Sequence, residues 1–243
     1  MTEELFREDA TLEACEARVV KVNDRGGVIL DRTVFYPTGG GQPGDSGVLE
    51  LPGGGTLRIA TTVKDRETGE IVHVPEEGQE LPAPGDEVTA RIDMALRRRR
   101  MRAHTAMHLM CALVPFPVTG GQVGDDGGRL DFAIDDPGAV NKQDLTAQMN
   151  VLIAQNHPVR IAYISDQELE ANPELVRTMS VAPPRGAGRV RLVEIGEDGG
   201  IDRQPCGGTH VSATGEIGAV EVTKIEKKGK MNRRIRFRLL DGQ

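Results

Sequence analysis

Along this chain the rhythm of apolar and polar residues changes once. Up to about residue 92 the apolar stretches are short and lie between turn signals. "CEARVVKV" (15–22) alternates loosely and runs into the turn "NDRGG" and then "VIL". "GVLEL", "LRIATTV", "EIVHV" and "EVTARI" follow, separated by "LPGGG", "DRETG" and "PAPGD". Short strands at this spacing predict a small β-barrel or sandwich over residues 1–92. At Asp93 the pattern becomes helical. "MALRRRRMRAHTAMHLMCALV" has no Gly or Pro and is rich in good helix formers, with Asp93 as its N-cap and Pro115 closing it. Downstream, "NKQDLTAQMNVLIAQNH" (141–157) places Leu145, Met149, Leu152 and Ile153 on one helical face. "SDQELEAN" reads as a short helix, and "GRLDFAI", "PVRIAYI", "GRVRLVEI", "GAVEVTKIEKK" and "RRIRFRLL" read as strands. Helices mixed with scattered strands predict an α+β domain over residues 93–243.

Composition narrows this picture. No apolar run approaches the roughly 20 residues that span a bilayer, and the acidic N-terminal stretch has no apolar signal core. A soluble, cytoplasmic protein is expected, with no membrane partner. The three cysteines are too sparse for a disulfide framework. Net charge is −7, and aromatic residues make up 3% with no Trp. That disfavours a base-stacking nucleic-acid module, and no DNA partner is expected. Basic residues are nevertheless concentrated in "RRRRMR" (97–102) and "KIEKKGKMNRRIRFR" (224–238). Each run reads equally as solvated surface or as a phosphate-facing patch.

The candidate chemistry lies in two pairs. His104 and His108 are four apart on the predicted helix, so both imidazoles face one side, one turn apart. Cys206 and His210 are also four apart, separated by "GGT", where two glycines allow the backbone to curl. Together they make a His₃Cys set suited in softness and geometry to one zinc ion per chain. In a zinc peptidase of the HExxH kind, a Glu follows the first His; here Thr105 stands there, which excludes that chemistry. Cys111 reads as a buried core residue, and His73 and His157 as surface or strand-end histidines.

"HTAMH" (104–108) and "CGGTHV" (206–211) resemble the zinc-binding editing domain shared by alanyl- and threonyl-tRNA synthetases and by free-standing alanyl-tRNA editing proteins of the AlaX type. "FYPTGGGQPGDSG" (35–47) resembles the glycine-rich motif of the barrel preceding that domain, and "VTGGQVGDDGGRLDF" (118–132) resembles its Gln-bearing loop and strand. The resemblance implies a small N-terminal β-barrel followed by an α+β editing domain. It implies a zinc-dependent deacylase acting in trans on the acceptor end of mischarged tRNA(Ala), bearing serine or glycine. On that reading Thr105, Thr119 and Gln122 are candidates for telling serine from alanine. Gly39, Gly40, Gly41, Gln42 and Asp45 would shape or admit the substrate, and Arg97, Arg98 and Arg99 would meet acceptor-stem phosphates. The residues alone also allow a zinc-stabilised, non-catalytic RNA-binding module, a zinc hydrolase of small esters or amides, and a plain hairpin loop for the glycine-rich stretch.

Overall fold

The computed structural model describes residues 2–136, 138–177, 188–229 and 231–240. Two compact units divide the chain, Met1–Arg98 and Arg99–Gln243, with the division inside the first helix.

In the first unit lie β1 (Glu3–Glu4), β2 (Ala14–Val22), β3 (Val28–Leu30), β4 (Arg32–Thr33), β5 (Gly47–Glu50), β6 (Thr56–Lys64), β7 (Ile71–Pro75) and β8 (Glu87–Ile92). Six of them close a barrel in the order β2-β3-β7-β6-β5-β8. β2 pairs antiparallel with both β3 and β8, so these six strands leave no open sheet edge. Alternation directs Val88, Ala90 and Ile92 of β8 inward, against Leu30, Leu49, Leu57, Ile59 and Phe35.

His73, expected at the surface or at a strand end, instead stands in the middle of β7 and is fully buried. Its Nδ1 lies 3.0 Å from the Val28 carbonyl, and its Nε2 lies 2.8 Å from Thr33 Oγ1. A carbonyl only accepts, so Nδ1 carries the hydrogen and Nε2 accepts from the hydroxyl. Burial lowers its pKa to about 4, so the ring is neutral at physiological pH.

The glycine-rich stretch has a local structural explanation. Gly39 and Gln42 exchange backbone hydrogen bonds of 3.1 and 2.9 Å around Gly40 and Gly41, which have φ of +56° and +82°. Two successive positive φ values suit glycine and make a tight hairpin turn. Gly44 has no such φ, but a Cβ there would lie 1.8 Å from the Thr62 carbonyl oxygen. Asp45 is buried. Its Oδ2 accepts from the Tyr36 N–H at 2.6 Å, and Arg97 Nε lies 3.0 Å from both carboxylate oxygens. Arg97 Nη2 also pairs with Asp45, and the guanidinium donates to the carbonyls of Ala10 (2.8 Å) and Val34 (2.7 Å).

Helix α1 (Met94–Leu113) starts at Asp93, whose Oδ1 accepts from the Leu96 N–H at 3.0 Å. The second unit continues with β9 (Val118–Val123), β10 (Gly127–Ala133), α2 (Lys142–Ala154), β11 (Val159–Ile164), α3 (Asp166–Ala171), β12 (Val190–Ile195), β13 (Asp202–Pro205), β14 (Ala219–Lys227) and β15 (Asn232–Leu240). They form a four-stranded sheet, β14-β15-β10-β9, and a three-stranded sheet, β11-β12-β13, both antiparallel. α2 buries Leu145, Met149 and Ile153, with Asn141 as its N-cap, and Asn150 exchanges hydrogen bonds of 2.9 Å with the backbone of Val220 on β14. The stretch 118–123, expected as a loop, is strand β9; its glycines hold the ladder because β10 supplies the partners. Among the described residues, no helix is long and apolar enough to cross a membrane.

Candidate metal centre

The two sequence pairs meet within the second unit. His104 and His108 project from one face of α1, with ring centroids 5.4 Å apart. β13 is held in register against β12 and delivers Cys206 and His210 on the loop that follows. Arg191 Nη1 fixes that loop by donating to the carbonyls of Cys206 (2.5 Å) and Gly208 (3.1 Å). Cys206 Sγ lies 3.6 Å from His104 Nε2 and 3.3 Å from His210 Nε2, and the donor atoms of all four residues lie within 4.8 Å of one another. The three histidines are 5–7% exposed.

These distances suit a metal. Donors around a tetrahedral zinc, with bonds of about 2.3 Å to sulfur and about 2.0 Å to nitrogen, stand roughly 3.5 Å apart. The electrostatics of Cys206 and His210 agree with that use, while His108 in the metal-free chain holds a proton that an ion would displace. Burial opposes a thiolate at Cys206, but His104 and His210 outweigh it and hold the thiol well below its ordinary pKa. Burial depresses His210 well below the usual imidazole value. Burial also opposes charge on His108, yet Asp202 and Cys206 push it up to about 10. Cys111, buried nearby, is pushed up to about 12 by burial and stays a thiol.

Thr105 is fully buried. Its hydroxyl donates to the Met101 carbonyl at 2.9 Å, lies 3.1 Å from His210 Nδ1, and accepts from the Val211 N–H at 3.3 Å. With Nε2 of His210 turned toward Cys206, Nδ1 carries the hydrogen and Thr105 accepts it. The Thr105 hydroxyl is thus taken up in holding His210, which corrects its expected role toward a substrate hydroxyl. Thr119 is half-buried on β9, 3.2 Å from the Asp131 carbonyl and 3.1 Å from Asn232 Oδ1. Gln122 is exposed on the same strand and accepts from Arg129 Nε at 3.3 Å. Their neighbour Gly121 faces α1, since a Cβ there would lie 3.2 Å from Met107 Cε. Gln122, one residue on, points to the opposite face.

The arginine run separates by helical position. Arg97 is 0% exposed and committed to Asp45, so neither residue has a face left for a phosphate or substrate, contrary to the expectation for both. Arg98 is exposed, and Arg99 lies 3.2 Å from Asp126 at the surface. In the 224–238 stretch Arg234 pairs with Asp131, Arg236 and Lys224 with Glu226, and Arg238 with Glu221, while Lys230 lies outside the described residues.

Sequence reasoning missed the residues behind the ligands. Asp202 Oδ2 is 2.8 Å from His108 Nδ1 and accepts from Gln204 Nε2 at 2.8 Å. The available signal was the two-residue spacing of Asp202 and Gln204 just before Cys206, which puts both on one face of a strand. Nothing in the sequence marks Arg191 for its role.

Comparison with known proteins gives the family. The family model "Threonyl and Alanyl tRNA synthetase second additional domain" matches residues 190–236, which run from β12 through the Cys206–His210 loop to β15. The model "tRNA synthetases class II (A)" matches residues 8–96. The alanyl-tRNA editing protein AlaX-M of Methanosarcina acetivorans is 37% identical over 249 residues, covering 99% of this chain and 100% of that protein. The chain belongs to the alanyl-tRNA editing protein family. AlaX-M of Saccharolobus solfataricus is 34% identical, with 98% of each chain covered. AlaX-L of Pyrococcus horikoshii is 32% identical over 98% of this chain and 58% of its own length. In this member of the AlaX family, the matched segments include both halves of the quartet's scaffold: β12, β13 and the loop carrying Cys206 and His210, and, through the full-length alignment, the helix carrying His104 and His108.

Proposed function

We propose that this chain is an aminoacyl-tRNA deacylase that acts in trans, hydrolysing the ester between a wrong amino acid and tRNA(Ala). The observation that carries the reading is the quartet of three buried histidines, His104, His108 and His210, with the half-buried Cys206, in a chain aligned end to end with an alanyl-tRNA editing protein. Serine and glycine are the expected errors. An alanine pocket rejects poorly an amino acid that adds one hydroxyl or lacks one methyl, so a second, hydrolytic site supplies the discrimination.

The four residues would hold one zinc, which, when bound, supplies Lewis-acid polarisation of the ester or activation of water. Cys206 enters as a thiolate. His210 is oriented by Thr105 and His108 by Asp202. With four protein ligands the site approaches a closed set, so orienting the aminoacyl group is a central part of its task. Recognition of the serine hydroxyl is assigned to Thr119 on β9, since Thr105 is occupied and Gln122 points to the face away from α1. The turn at Gly39, Gly40, Gly41 and Gln42 is assigned to substrate admission, and Arg98 and Arg99 to the acceptor-stem phosphates. A cytoplasmic site of action fits this substrate.

The test is deacylation of serine-, glycine- and alanine-charged tRNA(Ala) by the purified chain. Release of serine or glycine with alanyl-tRNA spared is expected. No release from any of the three overturns the enzymatic reading in favour of a non-catalytic RNA-binding module. Hydrolysis of a free aminoacyl ester as fast as of the charged tRNA overturns the tRNA assignment.

A further inference from the structure

We infer that Asp202 is a positioning residue that sets the tautomer and ring orientation of His108 for metal binding, with Gln204 holding its carboxylate; the inference rests on the zinc reading above. α1 places the Cβ of His108, but the second side-chain torsion of histidine is broad and does not by itself aim the ring. A partner on another element must do so. Asp202 is that partner: it stands on β13, is 1% exposed, and brings Oδ2 to 2.8 Å from His108 Nδ1. The Asp202 oxygen is the nearer partner of Nδ1, at 2.8 Å against 3.2 Å for the Gln204 amide nitrogen, so Nδ1 carries the hydrogen and donates to it, and the lone pair is left on Nε2, the other side of the ring.

The carboxylate is itself held. Gln204, two residues along the same strand and 5% exposed, donates to the same Oδ2 at 2.8 Å. The backbone beneath is fixed by the β12 ladder, which pairs Asp202 with Ile195 and Gln204 with Val193. Among the described residues Asp202 Oδ1 has no hydrogen-bond partner, and Arg177 Nε lies 3.9 Å away. Arg177 also donates to the Cys111 carbonyl of α1 at 2.7 Å, so a positive charge beside the carboxylate is anchored to the helix that bears His108. His210 donates from Nδ1 to a neutral group, the Thr105 hydroxyl. Of these two ligands, His108 alone has an anionic partner, which makes its imidazole the more basic donor.

The test measures zinc affinity of the full chain by competition with a chromophoric chelator, and the visible spectrum of the cobalt-substituted protein. Asp202→Asn is nearly isosteric but loses the charge, and its amide N–H, if turned to Nδ1, forces the wrong tautomer. Expected is a zinc affinity about 10–100-fold weaker with an altered cobalt spectrum. Gln204→Ala keeps the carboxylate and should show a smaller loss in the same direction, so the inference stays testable if Asp202→Asn folds poorly. Glu194→Gln, which breaks a surface pair with Arg203 on the same sheet, should stay within twofold of the unmodified chain. Lower stability of the metal-free chain with unchanged zinc affinity and an unchanged cobalt spectrum overturns the positioning role alone. An unmodified chain that takes up no zinc overturns the metal reading and this inference together.

Discussion

Replacing Arg97 by Met should destabilise the barrel unit far more than replacing its neighbour Arg98 by Gln. Arg97 is fully buried, and its guanidinium serves Asp45 and two carbonyls. Its removal strands a buried carboxylate that keeps the Tyr36 N–H and leaves the Ala10 and Val34 carbonyls without that donor. Breaking one side of a buried pair costs about 3–5 kcal/mol. Against a typical domain stability of about 5–15 kcal/mol, that is a large share. Arg98 is exposed, and its change should stay within about 0.5 kcal/mol. Replacing both members, Arg97→Met with Asp45→Leu, removes the stranded charge and should recover most of the loss. Hydrogen exchange followed by mass spectrometry on peptides from β2, β5 and β8 reads the barrel separately from the second unit. Circular dichroism in the tyrosine band gives a second probe, because Tyr36 is buried beside Asp45 and Tyr163 is exposed. Equal protection in Arg97→Met and Arg98→Gln, or weaker tRNA binding by Arg97→Met with barrel protection unchanged, would refute the structural reading of Arg97 and return it to the phosphate-binding set.

Further outcomes follow from the other buried groups. Thr105→Val should weaken zinc binding severalfold while leaving the ratio of serine to alanine release unchanged in zinc-saturated protein; a changed ratio, measured with both charged tRNAs, would return Thr105 to substrate recognition. Thr119→Val should lower serine release about threefold to tenfold, the effect of one neutral hydrogen bond of roughly 0.5–1.5 kcal/mol, while Gln122→Ala, on the opposite face, should leave it unchanged; an unchanged serine-to-alanine ratio in Thr119→Val would remove β9 from discrimination. For His73 the folded pKa of about 4 lies below the ordinary value of 6.5. The unfolded chain therefore binds the extra proton between these values, so barrel stability is fully present above pH 6.5 and falls as pH drops toward 4, by about 3 kcal/mol at most. His73→Leu should flatten that slope in urea titrations of barrel protection, and an equally steep slope would show that other groups set it. Gly44→Ala should destabilise the barrel by more than about 1–3 kcal/mol, since the added Cβ would lie 1.8 Å from the Thr62 carbonyl; unchanged thermal unfolding would show that the strand crossing yields easily.

Local rules made a good part of this protein legible from its sequence. Period-two alternation between turn residues marks β5, β6 and β8, and the absence of Gly and Pro with Asp93 as cap marks α1. Both depend on contacts a few residues away. The grouping of the four candidate metal ligands was legible for the same reason. Each pair is a local motif, four residues apart on a helix or around two glycines, and zinc chemistry says which side chains belong together. Only the tertiary structure decides what depends on a distant partner. The second pair reaches the first across 102 residues because β12 and β13 place its loop against α1. Arg97 differs from Arg98 and Arg99 only in the direction its helical position points, and it can turn inward because Asp45, 52 residues earlier, supplies a counter-charge. His73 can be buried because Val28 and Thr33, on other strands, satisfy both ring nitrogens. Asp202 and Gln204 alternate like any strand residues. They acquire a role only when β13 brings them beneath His108, because a hydrogen bond needs its partner in space and the chain order does not disclose it.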